Sequence, residues 1–222
     1  MTQLADGIFY TVRRSDRARR VRVTVEATRG VEVVLPRRAA ERDAAAAVRE
    51  LRPWIERRLR AVGEQRAAVA ARGDSVPYLG TTLTIVPQAG RTRVVQRDHT
   101  LLTPVGEDRV PALERWYRRT AKPEIAPRVQ RAAAQLGSSY TTLSIRGQRT
   151  RWGSCSAKGA LSFNWRLLMA PEPVLDYVVW HEVCHLEAMN HSPRFWSLVA
   201  ANCPDYREQA AWLRRHGGTL IL

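Results

Sequence analysis

Apolar and polar residues alternate three times in the first 36 positions, in GIFYTVRR, RRVRVTVEA and GVEVVLP. A period of two puts every second side chain on one face, so each run predicts a short, half-buried strand. Arg/Asp and Gly turns separate them, and the three read as an antiparallel meander. From Ala39 to about Arg72 the period lengthens. Val48, Leu51, Trp54, Ile55 and Leu59 recur at helical spacing in a stretch rich in Ala, Arg, Glu and Leu. This predicts one amphipathic helix or two, with Pro53 at a start or a kink.

YLGTTLTIVP, TRVVQR and HTLLTP predict three more strands. A long helix is expected next, from Val110 to about Leu136, ended by Gly137 in a C′ position. TTLSIRG and GALSFN read as strands with QRTRWGSCSAK between them, and from Pro171 the chain reads as helical almost to its end. No internal repeat, low-complexity run or clear linker is visible. The expectation is an α+β chain with a β-rich N-terminal region, including an amphipathic helix, over 1–105. A helical C-terminal region is expected over 106–222, the boundary falling before the long helix.

Composition narrows the class. In 222 residues, 45% of them apolar, a folded core is expected. The N-terminus has no secretory pattern, and no run approaches the roughly 20 apolar residues that span a bilayer. A cytoplasmic protein with no membrane partner is expected. The three cysteines, Cys155, Cys184 and Cys203, are too sparse for a disulfide framework and read as reduced core residues. The net charge of +15 makes nucleic acid a candidate partner. Yet every cationic residue except Lys122 and Lys158 is arginine, and the arginines are spread along the chain, as a GC-rich coding bias alone would produce.

Chemistry concentrates in HEVCHLEAMNH, where three of the five histidines fall within eleven residues. Pro171 and Pro173 suit a helix start, and VLDYVVWHEVCHLEAM is apolar on nearly every side, which predicts a buried helix. His181 and His185, at i and i+4, project from one face and can share a zinc ion. Glu182 lies beside them and can reach a water there. His191 joins only if the helix ends and turns back. Asn190 would supply a left-handed C-cap, and Ser192 with Pro193 the next helix start. A later carboxylate, Asp205 or Glu208, is the rival third ligand. Three protein ligands leave an open position, the mark of a catalytic site. Metzincins share the spacing, but their expected glycine is Ala188 here, and no methionine comes after Met189.

RTRWGSCS (149–156), LSFNWRLLMAP (161–171), DYVVWHEVCHLEAMNHSPRFW (176–196) and CPDY (203–206) together resemble the YgjP-like metallopeptidase domain family, related to SprT-like zinc proteases. The resemblance is strongest over 141–216. It implies Zn2+ held by His181, His185 and His191, Glu182 as catalytic base, and a zincin-like C-terminal half. It leaves the substrate open between a peptide and a nucleoside triphosphate, such as UTP hydrolysed to UMP and pyrophosphate. A DNA-associated SprT-like protease is a third reading.

Arg151 is a candidate substrate residue because it can neutralise an oxyanion or phosphate. Asn164, ending GALSFN, is another, on a strand whose free edge is expected to hold an extended peptide. The nucleotide reading requires Arg151, Arg166 and Arg194 to converge near the metal. Phe195 and Trp196 read as core. The pattern does not specify an oligomeric state.

Overall fold

The computed structural model describes residues 2–26, 29–106, 108–148 and 150–222. Ala27, in the second N-terminal run, and Arg149, at the start of RTRWGSCS, lie outside the described residues. The chain forms two compact units, 1–71 and 72–222.

The first unit holds strands β1 (Thr2–Ala5), β2 (Ile8–Ser15), β3 (Arg22–Glu26) and β4 (Gly30–Pro36), then helices α1 (Arg42–Glu50) and α2 (Arg52–Ala70). The sheet order is β1-β2-β4-β3. Strands β2 and β4 run parallel, while β1 and β3 pair antiparallel at the edges. The expected meander is therefore corrected. Val33, Val34 and Leu35 are all buried, so β4 is apolar on both faces and takes a central place. Strand β3 exposes Arg22 and Glu26 and takes an edge. Asp6 and Gly7 both have positive φ, which gives the β1–β2 turn the twist that hairpins favour. The helical stretch is two helices, with Pro53 in the first turn of the second. Val48 and Ile55 are buried in this unit's core, whereas Leu51, Trp54 and Leu59 remain exposed.

The second unit repeats the strand arrangement. Strands β5 (Ser75–Tyr78), β6 (Thr81–Pro87), β7 (Val95–Arg97) and β8 (Thr100–Thr103) form a sheet of order β5-β6-β8-β7, with β6 and β8 parallel. The repetition lies in topology, where the sequence shows none. YLGTTLTIVP is split by a turn at Leu79 and Gly80, both at positive φ. Helix α3 (Arg109–Gln135) is capped by Asp108, whose carboxylate accepts from the Val110 amide at 3.1 Å. It ends as expected: Gly137 is left-handed, and its amide and that of Ser138 return to the Ala134 and Ala133 carbonyls.

Strands β9 (Thr142–Arg146), β10 (Gly153–Cys155) and β11 (Ala160–Asn164) make a third sheet. A 3-10 turn, Trp165–Met169, leads to helices α4 (Glu172–Cys184), α5 (Pro193–Asn202) and α6 (Tyr206–His216). One apolar cluster joins Val76, Leu83, Ile85 and Leu101 of β5, β6 and β8 to Leu113, Trp116 and Tyr117 of α3 and to Val178 and Val183 of α4. These strands share a core with α3 and α4, so the division falls between Ala71 and Arg72 rather than near residue 106. Among the described residues, no helix is long and apolar enough to cross a membrane.

Candidate metal centre

Helix α4 is held by its buried apolar surface and by ion pairs near its start. Val174, Leu175, Val178, Val179 and Val183 are buried around its circumference. Near its start, the largely buried Arg128 of α3 pairs with Asp176 at 3.0 Å and also with Glu172. That anchorage fixes the last turn, which carries His181 and Glu182. The helix ends at Cys184 with His185 as its cap, earlier than the expected Asn190. Asn190 is not left-handed. The reversal uses the turn after Cys184, where the Ala188 amide returns to the Cys184 carbonyl at 3.0 Å. Ser192 then occupies the N-cap position of α5 with Pro193 in its first turn, although the Ser192 hydroxyl makes no capping bond.

This reversal brings His191 back to the helix. The ring centroids lie 5.0 Å apart for His181–His185 and for His181–His191, and 4.8 Å for His185–His191. One ring nitrogen from each falls within 4.8 Å of the other two. Nε2 of His181 and Nε2 of His191 are 3.1 Å apart. In a tetrahedral site with bonds of about 2.0–2.1 Å, neighbouring nitrogens lie about 3.3 Å apart. Nδ1–H of His185 donates to the Ala188 carbonyl at 3.0 Å, which leaves its Nε2 lone pair free. Nδ1 of His181 is buried and has no partner among the described residues, so the only hydrogen-bond-range contact of that ring points into the cluster. Three converging imidazole nitrogens suit a borderline metal ion such as zinc. Asp205 and Glu208 are not in the group.

Burial favours the neutral form of His181 and His185, the form a ligand needs. Burial first, and then the neighbouring His185 and His191, push the His181 pKa down to about 4. Burial also lowers that of His185. Phe195 of α5, fully buried, stacks on His185 at 4.4 Å and meets His181 and His191 edge-on at 5.0 and 4.8 Å. The residue is core, as expected, but the core it belongs to is the floor beneath all three histidines.

Glu182 is buried with 7% of its surface exposed. Burial raises its pKa to about 7, and the Arg151 charge pulls in the opposite direction. Arg151 is exposed and close enough to act on this carboxylate. Arg166 instead lies over the Trp165 ring at 4.3 Å, and Arg194 is exposed on α5.

Two expectations about the substrate strand are corrected. β11 is the middle strand, parallel to β9 and antiparallel to β10, so the edges are β9 and β10, and β10 is the one that lies against Glu182. Asn164 is 1% exposed and faces inward. Its amide nitrogen donates to the Gln148 and Arg151 carbonyls at 2.6 and 3.2 Å, and its side-chain oxygen accepts from the Arg166 amide at 3.2 Å. With those groups engaged, the buried side chain latches the loop that carries Arg151. Strand β10 is too short for a periodicity to show, and nothing in the local pattern singles out Gly153 within it. A Cβ built there would lie 2.5 Å from Glu182 Cγ and 2.7 Å from Glu182 Oε1.

The model of one protein family, described as YgjP-like, metallopeptidase domain, matches residues 19–216. The chain belongs to this family. Membership in the YgjP-like family makes it a metallopeptidase, hence a hydrolase, and implies a metal cofactor. Among solved structures, the abylysin metallopeptidase zymogen of Pyrococcus abyssi is similar at 22% identity and a TM-score of 0.34, over 39% of this chain and 90% of that one. The jannalysin zymogen of Methanocaldococcus jannaschii is similar at 18% identity and a TM-score of 0.34, over 39% and 93%. A search of curated proteins finds no match. The YgjP-like match runs through both compact units and includes the three histidines, Glu182 and β10.

Proposed function

We propose that the chain is a zinc-dependent peptidase of zincin type in which His181, His185 and His191 hold the metal and Glu182 is the general base. The observation that carries the reading is the convergence of three imidazole nitrogens one residue from a buried carboxylate. Zinc bound there supplies a Lewis acid that acidifies water and polarises the scissile carbonyl. Glu182 takes a proton from the attacking water and returns it to the leaving amine. Arg151, held by the Asn164 latch, keeps a positive charge near that carboxylate.

The substrate is an extended peptide laid along the free edge of β10. The Asn164 amide donates to the Trp152 carbonyl at 2.8 Å, and the Ser156 amide to the Ala160 carbonyl at 3.0 Å. In an antiparallel pair the backbone groups alternate in direction. Trp152 and Ser156 face β11, so the backbone groups of Gly153 and Cys155 face the open side, where they can pair with a peptide. The test is a screen of zinc-loaded wild type and Glu182→Gln on internally quenched peptides and on nucleoside triphosphates. Peptide cleavage by wild type, lost in Glu182→Gln with zinc retained, is expected. Hydrolysis of triphosphates alone would replace the peptidase reading with the nucleotide one.

A further inference from the structure

We propose that Gly153 is a positioning residue for Glu182: the missing side chain at this one strand position sets where the carboxylate lies. The inference rests on the assignment of Glu182 as the base. A Cβ at Gly153 would meet Glu182 Cγ at 2.5 Å, Oε1 at 2.7 Å and Cδ at 2.8 Å. All three separations are shorter than carbon tolerates from a non-bonded neighbour. Gly153 has an ordinary negative φ, so backbone freedom is not the reason for glycine here. The reason is space, because the carboxylate occupies the volume a side chain would fill.

The backbone on either side is fixed, so the conflict must fall on the glutamate. Strand β10 is pinned to β11 in register from Gly153↔Phe163 to Cys155↔Leu161. The bond from the Asn164 amide to the Trp152 carbonyl holds the preceding residue. Helix α4 is packed through Val178, Val179 and Val183 and tied to α3 by Arg128. The Glu182 side chain has three rotatable bonds and is the part that can give. Filling the Gly153 position therefore turns the carboxylate away from its place against β10 while leaving the histidine cluster intact. Gly153 also lies on the edge strand proposed to receive the peptide, so the glycine brings base and substrate backbone closer than any other residue allows.

The test is Gly153→Ala, read on the quenched peptide that wild type cleaves best. The variant should fold, carry about one zinc per chain, and lose kcat by on the order of 100-fold with KM little changed, as a displacement of about 1 Å can produce. A kcat within twofold of wild type, or a loss confined to KM, overturns the inference. Glu182→Gln is run beside it. If Glu182→Gln is inactive while Gly153→Ala is fully active, only the role of Gly153 fails; if Glu182→Gln is active, the base assignment fails and this inference with it. Should Gly153→Ala not fold, it is placed in a Glu182→Ala background, where the space is vacant. Restored folding supports the inference, and continued misfolding overturns it.

Discussion

The raised pKa of Glu182 predicts that removing its charge stabilises the metal-free protein, and only at neutral to alkaline pH. A free glutamate titrates at 4.5, whereas burial moves this one to about 7. The folded state thus holds its proton more tightly than the unfolded state does. That contribution is complete below pH 4.5 and is lost as pH rises through 7. At about 1.4 kcal/mol per pH unit, the gap corresponds to about 3 kcal/mol by pH 8. Glu182→Gln keeps the shape and removes the ionisation. Its apo form should therefore be more stable than wild type by about 3 kcal/mol at pH 8 and by less than about 1 kcal/mol at pH 5. His181 runs the other way. Its pKa falls to about 4, so its contribution is present above 6.5 and lost as pH falls through 4. Both proteins carry it, so it cancels in the difference. Urea denaturation of chelator-treated protein at the two pH values measures the effect. A difference that does not vary with pH, or a variant less stable than wild type at pH 8, would refute burial as the dominant influence on Glu182.

Two further outcomes are expected from the surroundings of the site. Phe195→Leu should retain the fold but weaken zinc binding about 10-fold, since it removes the ring that packs against all three histidines; competition with a chromophoric chelator reads the change. Asn164→Ala should cost about 2–3 kcal/mol by urea denaturation, because buried hydrogen bonds to Gln148, Arg151 and Arg166 are lost together; stability equal to wild type would show that the loop needs no latch.

The histidine cluster is legible in the sequence because its determinants are local. An i, i+4 pair shares a helix face whatever the tertiary structure, and Ser192-Pro193 marks a restart close enough to fold His191 back. The long helix and its Gly137 end are legible for the same reason. Sheet order is not. Whether β11 or β10 is the edge depends on which strand enters the middle, and three residues of β10 carry no periodicity to announce a strand. The continuous Val33-Val34-Leu35 run does signal a central strand, and Asp6-Gly7 a hairpin, so the first sheet is more readable than the expected meander allows. The boundary at Ala71 is hidden because a local pattern predicts a strand without saying which core its apolar face joins. Gly153 is hidden more deeply. Its part comes from a strand and a helix residue 29 positions apart in number, packed so closely that a Cβ added at Gly153 would lie 2.5 Å from Glu182 Cγ.

X-ray absorption at the zinc edge of the reconstituted wild-type protein tests the central claim most directly. The account predicts about one zinc per chain, bound by three imidazole nitrogens at about 2.0–2.1 Å, with the remaining ligand a light atom. A sulfur ligand at about 2.3 Å, or zinc retained at full occupancy after His181→Ala, His185→Ala and His191→Ala are combined, would contradict it.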